Sequence, residues 1–448
     1  MVQAAESEET LEKLLEASKR PEGRSHLATA GTLVTLLNRL CNTLPDDTLL
    51  IFRILRNLCA GETDNQNAFL NNGGSVVVQA ILGLSIATSE IRRVGLQLLG
   101  NVALAGEEHR AAVWAAFFPV RFLEIAEFRE SEVCDALCMV LDTCCSSDGG
   151  RRRLEELCDD EKGMVTAAFT GGYEEEWLEW LLTKICIEEP YFLHLFEKIG
   201  PTSDDYGRAD KKYTLFSSTQ AFLLKLLSKC LSERPGDISM SNDFALSILK
   251  IFKEATNVTD FFSRGTSALP TGFPTIDVLG YSLMILRDSC AWEDHSLAAL
   301  EAPVESLLSA GLMEVVLISL EELEPPSIVR RSVVTEGKKM CPYRGFRRDL
   351  VSVIGNCLHR RKEVQDKIRM RNAIPLLLQQ CVLDDENPFL REWGLLTARN
   401  LLEGNFENQQ YVAELQLLDS VNTPEISGLG LKVEVDKSTN RAKLVNIS

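Results

Sequence analysis

Apolar residues in this chain recur at helical spacing, and in four places the recurrence closes on the same short signature. The segments are LLIFRILRNLCAGETDNQNAF (Leu49 to Phe69), IRRVGLQLLGNVALAGEEHR (Ile91 to Arg110), FRRDLVSVIGNCLHRRKEVQD (Phe346 to Asp366) and FLREWGLLTARNLLEGNFENQQ (Phe389 to Gln410). Their shared anchor is an asparagine, at Asn57, Asn101, Asn356 and Asn400, and the members of each pair lie 44 residues apart. Around Asn57 the apolar positions are Phe52, Ile54, Leu55 and Leu58; around Asn101 they are Leu96, Leu98, Leu99 and Val102. Those offsets form one wide stripe on a helix of 3.6 residues per turn. Gly95 and Gly394, six residues before their anchors, leave room for a neighbouring helix to approach closely. Gly61, Gly106 and Gly404 follow the anchors as helix stops, and Gln66, Gln365 and Gln409 open the next helix.

A unit of this length that repeats cannot bury its apolar face alone and must stack on its neighbours. The pattern therefore predicts an all-α chain, an armadillo/HEAT-like right-handed α-solenoid. Fainter copies place Asp142, Lys184, Ser228 and Asp288 at the anchor position, the steps from Ser228 to Asp288 and from Asp288 to Asn356 being long. The long steps contain two aperiodic stretches, Ala255 to Thr275 and Glu321 to Gly345, and loops above about 15 residues are usually functional or disordered. Beyond Pro424, apolar and polar residues alternate in two runs, Leu431 to Val435 and Ala442 to Ile447, which predicts a short C-terminal β-hairpin. The resulting organisation is an acidic N-terminal segment (1–24), helical repeats irregular in the middle (25–320), a basic loop (321–345), a repeat pair (346–420) and a hairpin tail (421–448).

Charge narrows the possible partners. A formal charge of −18 opposes a surface that condenses on phosphate backbones, so nucleic acid is not expected. No apolar run approaches the roughly 18 residues that span a bilayer, and the N-terminus is acidic where a signal peptide is basic. No membrane insertion and a cytoplasmic location are expected. The 13 cysteines are scattered over apolar helical positions such as Cys59, Cys186, Cys230, Cys357 and Cys381, where a free thiol behaves as a small hydrophobe.

Catalytic chemistry finds no constellation. The five histidines (His26, His109, His194, His295 and His359) are dispersed, there is no C-x-x-C pair, P-loop or G-x-S-x-G elbow, and no cofactor or metal is expected. An asparagine repeated in this way can line a peptide-binding groove, but the stacking tryptophan one turn earlier is replaced by Arg53, Gln97, Ser352 and Leu396. The asparagines are expected instead to bond backbone groups at repeat junctions. Trp393 shares the helical face of Asn400 and is a candidate contact. A second candidate is the cluster Arg330, Arg331, Lys338, Lys339, Arg344, Arg347 and Arg348, because arginine forks take carboxylates and phosphates two bonds at a time. Its competing use is internal, with Arg347 and Arg348 pairing to Asp384, Asp385 or Glu386.

The segments CPYRGFRRDLVSVIGNCLHRRKEVQDKIR (Cys341 to Arg369) and IPLLLQQCVLDDENPFLREWGLLTARNLLEGNFENQ (Ile374 to Gln409) closely resemble the C-terminal domain of the ataxin-10 family. RNLCAGETDNQNAF is similar to that family's N-terminal repeats, whereas Arg151 to Leu320 carries no matching motif. The resemblance implies a non-enzymatic, cytoplasmic scaffold for other proteins, linked to cytokinesis and cell survival. The alternative is an armadillo transport adaptor that binds cargo peptides.

Overall fold

A computed structural model describes residues 2–42, 47–84, 87–146, 149–159, 163, 165, 174–201, 215–291, 303–330, 337–415, 431–436 and 441–446. The chain divides into two compact units, Met1–Ile199 and Gly200–Ser448.

In the first unit a leading helix α1 (Val2–Ser18) precedes helices that come in threes. These are α2 (Pro21–Thr29), α3 (Thr32–Asn42) and α4 (Thr48–Leu58), then α5 (Thr63–Asn71), α6 (Gly74–Leu82) and α7 (Ser89–Ala103), then α8 (Glu107–Phe117), α9 (Val120–Ala126) and α10 (Ser131–Cys145). Helices α11 (Gly150–Asp159), α12 (Glu176–Thr183) and α13 (Phe192–Lys198) follow, with a π-turn at Lys184–Glu188. The third helix of each triplet carries the anchor and packs on its counterpart, giving the series α1, α4, α7, α10, α12. Local sequence explains the boundaries. Thr88 caps α7 by accepting from the Ile91 amide, and Gly61 takes a left-handed φ of +70° just beyond α4, a conformation that costs a glycine little.

The second unit begins with α14 (Ser218–Glu233), α15 (Asn242–Val258) and α16 (Pro274–Ala291). Two triplets follow. The first is α17 (Pro303–Ser309), α18 (Leu312–Glu322) and α20 (Phe346–Leu358), with the short α19 (Ser327–Arg330) between its members; the second is α21 (Lys362–Met370), α22 (Ile374–Leu378) and α23 (Leu390–Leu402). Helix α24 (Phe406–Glu414) covers part of the last triplet, and α14, α16, α20 and α23 stack in series. Each long step in the anchor spacing is therefore an excursion inside a repeat, ahead of its anchor helix. The described parts of the two excursions are sewn together. The amide of Gly265 donates to the carbonyl of Cys341 (2.9 Å), Met340 to Phe261 (2.7 Å) and Arg344 to Ser267 (2.9 Å). Leu323 and Lys339 form a parallel bridge.

The core is the stacked apolar stripe. Phe52, Ile54, Leu55, Leu58, Leu96, Leu98, Leu99 and Val102 are all fully buried. In the last copy the stripe is only half covered, since Leu395 is 56% exposed. At the C-terminus β1 (Leu431–Asp436) pairs antiparallel with β2 (Arg441–Asn446), with Leu431 opposite Asn446. No single helix among the described residues is long and apolar enough to cross a membrane.

Candidate functional site

The anchor asparagines join one repeat to the next. The side-chain amide of Asn101 donates to the carbonyl of Arg56, that of Asn356 to Arg287 and that of Asn400 to Gly355, each at 2.9 Å. In every case the acceptor is the residue just before the preceding anchor: Asn57, Asp288 and Asn356. Asn57, at the head of the series, donates to the Ser18 hydroxyl of α1 (3.1 Å). The glutamines nine residues on complete the joint. Gln66 donates to the carbonyls of Cys59 (2.9 Å) and Asn101 (2.8 Å), and Gln365 to those of Leu358 (3.3 Å) and Asn400 (2.8 Å). The expectation that the asparagines satisfy backbone groups holds for Asn101, Asn356 and Asn400, with the partner supplied by the neighbouring anchor helix, whereas Asn57 meets a side-chain hydroxyl. Two of the fainter copies are joined by charge, Lys184 Nζ lying 2.5 Å from Asp142 Oδ1.

With their amides committed to these joints, the anchors form the floor of open grooves. One, of about 440 Å³, is lined by Leu15, Ser18, Lys19, Arg24, Arg53, Arg56, Asn57 and Ala60. Another, of about 450 Å³ in the second unit, lies over Asn356 and Asn400 and is flanked by His359, Arg361, Leu396 and Arg399. The positions where a peptide reader would place tryptophan are engaged elsewhere. Gln97 accepts from Arg56 (2.8 Å), and Ser352 is buried against the Asp349 carbonyl (2.7 Å). Trp393 is half-buried on α23, and Asn400 is only 4% exposed.

The basic cluster does not come together as one open patch. Arg347 is 2% exposed; its guanidinium donates to Gln380 Oε1 (3.3 Å) and to the Glu324 carbonyl, while its backbone amide donates to Asn387 Oδ1 (3.1 Å). Arg348 pairs with the buried Asp349 (2.7 Å), whose other oxygen accepts from the Tyr343 hydroxyl (2.8 Å). Burial pushes the Asp349 carboxyl and the Tyr343 phenol up from their ordinary values. Arg348 thus meets Asp349, its own neighbour in sequence, and Arg264, unremarked in the sequence, reaches both Glu386 and Glu324. Lys338 donates to the Glu321 carbonyl (2.7 Å), Lys339 pairs with Glu322 (2.7 Å) beneath the Phe261 ring, and Arg344 Nε donates to the Asp385 carbonyl (3.2 Å). Arg331 and the side chain of Arg330 lie outside the described residues.

Among the described residues no group of three or more histidine, cysteine, aspartate or glutamate side chains could hold a metal ion. Among the described residues ten cysteines are buried, Cys158 and Cys381 are half-buried, and burial pushes the Cys144 thiol up to about 12, far from the thiolate a nucleophile needs.

Helix triplets whose third members stack and are clipped together define an armadillo-like helical-repeat protein. Solved structures of that architecture are similar only loosely. A designed armadillo repeat protein in complex with the peptide (KR)4 is 16% identical over 49% of this chain and 91% of its own, at a TM-score of 0.34. A second designed armadillo repeat protein, at 10% identity, covers 82% of this chain with a TM-score of 0.27, so the fold assignment rests on the triplets themselves. Relatives by sequence are more informative. Residues 346–445 match the spinocerebellar ataxia type 10 protein domain. Ataxin-10 of Bos taurus is 24% identical over 93% of this chain and 83% of its own length, and that of Homo sapiens 24% identical over 86% and 79%. An ataxin-10 homolog of Dictyostelium discoideum is 35% identical, over 21% of this chain and 16% of its own. Over most of its length the chain is thus similar to ataxin-10 proteins, and residues 346–445 carry the domain they share.

Proposed function

We propose that this chain is a non-enzymatic scaffold that binds other proteins along the faces formed by its anchor helices. The observation that carries the reading is the ladder of asparagine and glutamine clips. It fixes the anchor helices side by side and leaves grooves over Asn57 and over Asn356 and Asn400, with no assembled chemistry in either. Rigid elements that present a surface are what a binding module requires. The family resemblance supports a cytoplasmic role in cytokinesis and cell survival. Lys338, Lys339, Arg344 and Trp393 are secondary contact candidates, their side chains being partly exposed.

The transport-adaptor reading is weaker on two counts. The tryptophan wall is missing, and the groove beside Asn57 is lined by arginines that would repel a basic cargo signal. Purification of the intact, tagged chain from its native cells should recover a stoichiometric protein partner, and a basic import-signal peptide should not bind the purified chain. Recovery of the chain alone, or tight binding of that peptide, would overturn the assignment.

A further inference from the structure

The groove beside Asn57 is positively charged in a chain of net charge −18. Its charged lining residues are Lys19, Arg24, Arg53 and Arg56, and no carboxylate is among the residues that line it. Two of the four are held by acids beyond the rim, Arg53 by Glu90 and Lys19 by Glu16 (2.6 Å). The other two have no carboxylate partner among the described residues. Arg56 donates to Asn57 Oδ1 (3.0 and 3.3 Å) and to Gln97 Oε1 (2.8 Å), and Arg24 to the Lys19 carbonyl (3.4 Å). Burial, with Arg93 and Arg53 close by, pushes the Arg56 pKa down, which is the mark of a cation short of negative charge.

We propose that this groove takes an Asp/Glu-rich segment of a partner protein, with its carboxylates on Arg24 and Arg56. Arginine forks match carboxylates in shape as well as charge, and both guanidinium groups line the groove. A short acidic segment feels mainly the groove, because charges beyond about 8–10 Å are screened at physiological salt. An extended polyanion such as nucleic acid also meets the acidic remainder of the chain, which opposes it. The proposal rests on the scaffold reading and adds the chemistry of one partner site.

Fluorescence anisotropy of the full chain with a labelled Asp/Glu-rich peptide, beside its Asn/Gln counterpart, tests it. The acidic peptide should bind, the neutral one should not, and R24Q combined with R56Q should weaken binding by about tenfold or more. Since R56Q also loosens the link between Asn57 and Gln97, R24E is the second variant. Among the described residues the Arg24 side chain makes one weak hydrogen bond, to the Lys19 carbonyl, so this variant should weaken binding as strongly without altering thermal unfolding. Absence of acidic-peptide binding, or wild-type affinity in R24E, overturns the proposal. Retention of native partners alongside either of those results would leave the scaffold reading standing, so the two failures are distinguishable.

Discussion

An asparagine repeated at one helical position can either face a ligand or hold the helices that face it. Here the side-chain amides of Asn101, Asn356 and Asn400 are bound at 2.9 Å to carbonyls of the preceding anchor helix, so their first duty is structural. Asn400 is the most buried of the four, and removing its side chain leaves the Gly355 carbonyl without this donor in a dry setting. Asn400→Ala should therefore cost about 1–3 kcal/mol, read from the midpoint of chemical denaturation. An unchanged midpoint would mean that the clip contributes nothing and that the asparagine is kept for another purpose. The anchors were legible because a repeated polar residue on an apolar stripe stands out. The residues of the cation-lined groove were visible only in part. Arg53 and Arg56 lie in the first signature, but Lys19 sits in the turn after α1 and Arg24 on α2, which carry no copy of it.

Between elements, close approach is the governing requirement. A Cβ added at Gly394 would lie 2.4 Å from the Gln380 carbonyl oxygen and 2.7 Å from its carbon, backbone atoms that cannot swing aside. At Gly95 the nearest obstacle is the Leu82 Cδ2 at 2.8 Å, the end of a flexible side chain. Gly394→Ala should consequently destabilise by about 1–3 kcal/mol and Gly95→Ala by distinctly less, in paired denaturation curves. Equal effects would contradict the packing described. Helical spacing revealed the anchor helices and predicted where such glycines fall, since both depend on neighbours in sequence. The excursions before α16 and α20 were opaque for the opposite reason. Their order comes from bonds such as Gly265 to Cys341 and from Arg264 meeting Glu324 and Glu386, contacts between residues 60 to 122 positions apart that leave no local period. The same holds for Arg347, which reads as one member of a charge run and is in fact buried.

Taken whole, the molecule combines two units built on one principle: apolar stripes make the core, amide clips set the spacing, and the grooves above the clips remain open. Its net charge of −18 opposes phosphate backbones in general, while a local excess of arginine beside Asn57 reverses the sign where the proposed acidic partner would seat. The central claim is that partners meet the anchor-helix grooves and not the outer helices. Site-specific photo-crosslinking in the native cells tests it directly, with the reactive residue placed at Lys19 or Leu396 in the grooves, or at the exposed Val76 or Met370 on other helices of the triplets. The account predicts adducts with another protein at positions 19 and 396 and none at 76 and 370; adducts confined to 76 and 370 would contradict it.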